Sequence, residues 1–175
     1  MSGHNKFSKI KHLKAKNDAQ KSKIYTKLVR VITLEAKKAG GNLNSPGLAN
    51  AIAKARGENM PNDTIDRAIR KATDTSVQME SMIYEAYGPG GIAILIDVLT
   101  DNRNKAAQEI KIILSKHDIA LAAPGSASWA FHKEGTEWKP ITTSTITDDE
   151  AEKLSALVGD LEENDDVQDV ITNAE

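Results

Sequence analysis

The sequence predicts an α+β protein, with a small helical domain over residues 1–74 followed by a ferredoxin-like split βαβ sandwich over residues 79–175. Three observations lead there. Apolar residues recur at helical spacing up to about residue 72 and at strand spacing soon after it. Residues 1–75 hold 16 Lys and Arg against 6 Asp and Glu, whereas residues 76–175 hold 7 against 19, so the net charge of −2 conceals a basic part and an acidic part. A polar stretch at 73–78 lies where the period and the charge both change.

Residues 1–11 show no clean periodicity and read as an extended arm. A first helix over 9–20 has thin apolar content (Ile10, Leu13, Ala15, Ala19) and many mutually repelling lysines, so it needs tertiary partners. A stronger helix spans 22–39, with Ser22 as N-cap and Gly40-Gly41 as its stop. Its apolar face is Ile24, Leu28, Val31 and Ile32, and Lys23, Lys27 and Arg30 repeat beside it. Ser45-Pro46 opens a third helix, Ser as N-cap and Pro at the first position, carrying Leu48, Ile52 and Ala55. A fourth begins near Pro61 with Ile65, Ala68 and Ile69.

In the second half, residues 82–87 and 92–99 read as strands joined by Gly88-Pro89-Gly90-Gly91. Asp101 or Asn102 caps a helix whose buried stripe is Ala106, Ile110, Ile113 and Leu114. Pro124-Gly125 precedes a strand at 128–131, and weak alternation over 141–146 suggests an edge strand. Thr147 with Glu150 three residues on forms a capping box for a helix burying Leu154, Leu157, Val158 and Leu161. A last strand covers 167–171.

The chemistry that follows is mostly electrostatic. Lys6, Lys9, Lys11, Lys14, Lys16, Lys21, Lys23, Lys27 and Arg30 face a single acid, Asp18, within the first thirty residues. Such a surface attracts a phosphate backbone by counterion release. Phe7 and Tyr25 lie among these cations as candidates for stacking on unpaired bases, and His4 and His12 add donors. Lys far outnumbers Arg, which favours backbone contact over the bidentate reading of guanine. Arg103 and Lys105, beyond what capping requires, are further candidate contacts at the end of a strand. The glycine-rich turn reads as a strand connection rather than a phosphate cradle, because it carries no dinucleotide or P-loop spacing and no helix follows it directly.

Several classes fall away. The chain has no cysteine, which excludes disulfides, thiol catalysis and Cys-ligated zinc. The four histidines, His4, His12, His117 and His132, show no paired ligand spacing, and no carboxylate pair stands out from the acidic C-terminal segment. No catalytic residue, metal, cofactor or small-molecule substrate is therefore expected. No apolar run reaches the length of a membrane span, and the expected location is the cytoplasm. A Lys-rich start also imitates a mitochondrial presequence but is poor in Arg and Ser, which leaves the matrix as the less favoured alternative.

Four motifs give the chain a resemblance to a known family. They are Gly3-His4-Asn5-Lys6-Phe7 with Ile10-Lys11-His12 and Lys23-Ile24-Tyr25-Thr26-Lys27-Leu28; Ala53-Lys54-Ala55-Arg56 with Asn59-Met60-Pro61; Tyr84-Glu85-Ala86-Tyr87-Gly88-Pro89-Gly90-Gly91; and Leu99-Thr100-Asp101-Asn102-Arg103-Asn104. With these the sequence resembles the YebC/PmpR family, which includes the mitochondrial translational activators of cytochrome oxidase subunit one. The resemblance implies a helical first domain, following α/β domains and no catalysis. It also implies binding of nucleic acid, ribosomal RNA or DNA, and Gly3, beside His4, Lys6 and Phe7 in the arm, is a further candidate contact. Family members are described as ribosome-associated translation factors that relieve stalling on proline-rich nascent chains, and as DNA-binding transcriptional regulators. A protein–protein adaptor working through the acidic domain is a further expectation. Family members carry another small α/β domain, which here is expected to be missing near residues 135–136. Asp118-Ile119 and Ala122-Ala123 stand where family sequences tend to have glycines, which predicts a stiffer loop.

Overall fold

A computed structural model describes residues 18–74, 76 and 78–175. The arm and the helix expected at 9–20 lie outside these, except for residues 18–20. Two compact units emerge, one containing Asp18–Ser81 with Leu99–Arg103 and the other Met82–Val98 with Asn104–Glu175.

The first unit is three helices, α1 (Asp18–Lys38), α2 (Pro46–Gly57) and α3 (Asn62–Lys71). Four-residue spacing puts Leu28, Ile32 and Ala36 of α1 on one buried stripe, against Leu48, Ala51 and Ala55 of α2 and Ile65 and Ala68 of α3. Helix α1 stops where Gly40 and Gly41 take φ +56° and +83°. The Gly41 N–H there returns to the Ala36 carbonyl at 3.1 Å, a closure that needs the left-handed region. Ser45 holds the N-cap position of α2, but its side chain makes no capping hydrogen bond. Pro46 at the first position, which needs no N–H partner, begins this helix instead.

In the second unit the sheet order is β3-β1-β2-β6, with β1 Glu80–Tyr87, β2 Ala93–Thr100, β3 Leu121–Ala122 and β6 Val167–Thr172. Helix α4 (Arg103–Lys116) carries the chain from β2 past β1 to β3, and α5 (Asp148–Glu162) leads into β6. The β2–α4–β3 crossover, with β1 between its strands, is the split βαβ element. Strand β2 is buried on both sides. Ile94, Ile96 and Val98 face Ala106, Ile110, Leu114, Leu154, Leu157 and Leu161 of the two helices, whereas Ala93 and Leu95 face Ala127, Ala130 and Phe131.

That second face holds the differences from the expected strands. Residues 128–130 form a 3-10 turn that buries Ala130, not a strand. Three-residue spacing lets Ala127 and Ala130 enter the same apolar cluster. A strand follows at β4 (Phe131–Glu134) and pairs with β5 (Glu137–Pro140) in a separate two-stranded sheet. Gly135, at φ +60°, turns this hairpin. Trp138 packs into the cluster, and the Lys133 ammonium sits 5.7 Å from its ring centroid. Burial and Asp169, its cross-strand partner, push the Asp97 carboxyl up against the pull of Lys133.

Residues 141–146 pair only through a parallel bridge between Ser144 and Ala174. Ile141 remains exposed, because the alternating residues find no second face to cover. The glycine turn connects β1 to β2: the Gly88 N–H donates to the Ile92 carbonyl at 2.8 Å, and Gly90 and Gly91 take φ +70° and +73°. Asp118 after α4 adopts φ +57°, the region for which a glycine is the easier residue and Asp one of the tolerated ones.

The capping box of α5 is formed. The Thr147 hydroxyl accepts the Glu150 N–H at 3.3 Å, and the Glu150 carboxylate accepts the Thr147 N–H at 2.8 Å. Replacing Thr147 with Ala is expected to cost about 1 kcal/mol, read as a lower urea midpoint with an unchanged slope. An unaltered midpoint would show that the box contributes nothing.

Candidate nucleic-acid interface

Of the residues expected to contact nucleic acid, Gly3, His4, Lys6, Phe7, Lys9, Lys11, His12, Lys14 and Lys16 lie outside the described residues. Lys21, Lys23, Lys27, Arg30 and Arg103 lie within them, all in the helical unit. Lys21 and Arg103 are exposed, and Lys23, Lys27 and Arg30 are half-buried. The three half-buried cations also take part in interactions within the protein. For Arg30 one of these is a hydrogen bond from Nη1 to the Leu99 carbonyl at 3.3 Å. The exposed charge on this unit is supplemented by Lys54 and Arg56 on α2 and Arg67, Arg70 and Lys71 on α3, five cations that were not among the nucleic-acid contacts expected from sequence. Their signal was weak, because each is diluted by neighbouring acids or small residues.

A cleft of about 390 Å³ opens beside α1, lined by Arg30, Lys71, Thr26, Thr33, Thr64 and Asp101 among others. The Thr26 hydroxyl donates to the Ser22 carbonyl at 3.0 Å and that of Thr33 to the Val29 carbonyl at 2.8 Å. With these hydrogens turned to the main chain, the cations of the cleft are Arg30 and Lys71.

Tyr25 has a structural role. Its hydroxyl donates to the Asn59 carbonyl at 2.8 Å and to that of Glu58 at 3.1 Å, and its ring packs against the helical core. It thereby holds the α2–α3 connection at Asn59, whose φ is +59°.

Sequence reasoning missed Glu85. Odd-numbered residues of β1 face the hairpin side, which brings Glu85, 6% exposed, under residues 125–128. Its carboxylate accepts N–H groups from Gly125 at 2.7 Å, Ala127 at 2.7 Å and Ser128 at 2.9 Å. Burial pushes this carboxyl up, but the three N–H groups and the Ser128 hydroxyl outweigh it and hold it below the ordinary range. The only hint in the sequence was an acid set between apolar residues in a strand.

Among the described residues no group of three or more His, Cys, Asp or Glu is placed to hold a metal ion, and no helix is long and apolar enough to cross a membrane.

Comparison with known proteins adds to this. Residues 5–75 match the TACO1/YebC protein N-terminal domain. Residues 79–137 and 133–174 match the TACO1/YebC second and third domain, in two pieces. A protein of Desulfosudis oleivorans named probable transcriptional regulatory protein is 44% identical over 100% of this chain and 72% of its own length. One of the same name from Thermosipho africanus is 37% identical over 237 aligned positions, covering 100% of this chain and 94% of the relative. Among solved structures, a conserved hypothetical protein of Aquifex aeolicus superposes with a TM-score of 0.84 at 31% identity, covering 92% of this chain and 93% of that one.

Proposed function

Because this chain belongs to the TACO1/YebC family, we propose that it is a nucleic-acid-binding regulator of gene expression that acts on the ribosome and relieves stalling on proline-rich nascent chains. The observation that carries the nucleic-acid part is the segregation of charge, 16 cations against 6 acids in residues 1–75. Its form supports ribosomal RNA. Lys prevails over Arg in the arm, so the surface suits a backbone more than a base edge. The proline-rich nascent chain comes from the family resemblance.

The two family segments overlap at 133–137, the turn of the β4–β5 hairpin. The alignment of 237 positions with the Thermosipho relative exceeds the 175 residues of this chain. These facts support a reading in which the hairpin closes where relatives carry a further domain; a hairpin tip is a site where extra chain is accommodated at little entropic cost.

Co-sedimentation with ribosomes across a salt series tests the proposal. The expected result is association at low and moderate salt that declines as salt rises. Absence from the ribosomal fractions at every salt would reject it. The relatives' shared name supports a second reading, DNA-binding transcriptional regulation. That reading requires a specific duplex to bind several kcal/mol tighter than a scrambled one, so equal affinities would exclude it. Ribosome association that persists after nuclease treatment and in high salt would favour an adaptor instead.

A further inference from the structure

The chain has seven aromatic residues: two Trp, three Tyr and two Phe. Phe131 is buried, and Tyr25, Tyr84 and Trp138 pack against core clusters. Among the described residues, Tyr87 and Trp129 stand out, 39% and 62% exposed. They are joined to each other. Trp129 Nε1–H donates to the Tyr87 hydroxyl at 3.0 Å, and that hydroxyl donates in turn to the Ser126 carbonyl. The loop beneath is clamped by Glu85 through the N–H groups of Gly125, Ala127 and Ser128, and Ala127 and Ala130 are buried on either side of Trp129. Two large rings are thus held in water on a rigid support.

We propose that the Tyr87–Trp129 shelf is a stacking site for an unpaired nucleobase. The proposal rests on the reading that the basic part of the chain binds nucleic acid, and it adds a contact in the acidic part. The hydrogen-bond pattern favours a base over a peptide. An aromatic shelf that binds an extended peptide uses its indole N–H or phenol O–H to reach peptide carbonyls. Here both hydrogens are spent within the shelf, and what remains is ring face. Residues 76–175 hold 7 cations against 19 acids, so attraction for phosphate has to come from the basic part of the chain, and the shelf adds stacking, which tolerates any base. An unpaired base is required because bases within a duplex have their faces covered by one another.

The full chain carrying Trp138→Phe, which leaves Trp129 as the only indole, is titrated with an oligoadenylate and with a duplex of equal length. Binding is followed by anisotropy of the labelled nucleic acid and by indole emission. The single strand is expected to quench Trp129, and the duplex to leave it unchanged. In the otherwise unaltered chain, Trp129→Ala should weaken single-strand binding roughly 5- to 150-fold, Trp129→Phe should restore most of it, and duplex binding should stay the same. If anisotropy shows single-strand binding while Trp129 emission and Trp129→Ala affinity do not change, the shelf is idle and only this proposal falls. Failure of both nucleic acids to bind would remove the basic-surface reading and this one together. Quenching by a proline-rich peptide and not by the oligoadenylate would assign the shelf to a peptide and overturn the proposal.

Discussion

Replacing Glu85 with Ala is expected to destabilise the α/β unit by about 3 kcal/mol, the largest stability effect of any single polar residue described above. The residue is buried, and its carboxylate is the acceptor for three main-chain N–H groups. Each donor left unpaired away from water costs about 1–3 kcal/mol. Partial relaxation of residues 125–128 and entry of water bring the sum down. Glu85→Gln keeps one acceptor oxygen but turns an NH2 toward a donor, so about half the loss is expected. Urea unfolding at neutral pH provides the measurement, and a loss below about 0.5 kcal/mol for the Ala variant would show that the clamp is incidental.

The clamp also has a pH signature. Burial pushes the Glu85 carboxyl up, yet the hydrogen bonds win and its folded value lies below the unfolded one. Its stabilisation is therefore complete above the ordinary glutamate value of about 4.3 and is lost as pH falls through the folded value. The stability gap between the unaltered chain and Glu85→Gln should narrow below about pH 4. A gap that stays constant from pH 7 to pH 3 would contradict the ionised clamp. The same substitution should loosen the support of Trp129, so indole emission should report the local change alongside the global one.

Neutralising Lys6, Lys9, Lys11 and Lys14 together as Gln is expected to weaken nucleic-acid binding on the order of a hundredfold at physiological salt. Each phosphate contact removed lowers the slope of log affinity against log salt by roughly 0.7 to 0.9. Four contacts then remove about 3 from the slope, and the affinity loss follows from extrapolating to the salt of the assay. The effect should be shared by all sequences, because backbone contacts carry no sequence information. Neutralising Lys21, Lys23 and Lys27 on α1 should change the slope by less per residue, since Lys23 and Lys27 already have interactions within the protein. An identical slope for the arm variant would mean that those lysines are only solvated.

What was legible from the residue order was what neighbouring residues decide among themselves. The helices 46–57 and 148–162 follow from Pro46 and from the Thr147–Glu150 box, signals that act within one turn. The Gly88–Gly91 connection follows from positive φ at Gly90 and Gly91. The four apolar positions of α5 all turned out buried, because helical spacing alone puts them on one face. The charge contrast between the two halves of the chain needs no structure, and by itself it points to a polyanionic partner.

Tertiary structure decided what depends on residues far apart. Glu85 and its three donors are forty or more positions distant, and a lone acid in a strand does not announce which loop will fold over it. Tyr25, grouped by sequence with the cations, is claimed by carbonyls more than thirty residues away. Tyr87 and Trp129 look unrelated until the hairpin face of the sheet brings them together. Periodicity shows that a side chain is turned inward or outward, but a hydrogen bond between distant segments depends on how whole elements pack. Local pattern therefore determined the helices and the charge, and long-range packing determined which polar and aromatic groups are spent on the fold and which stay exposed.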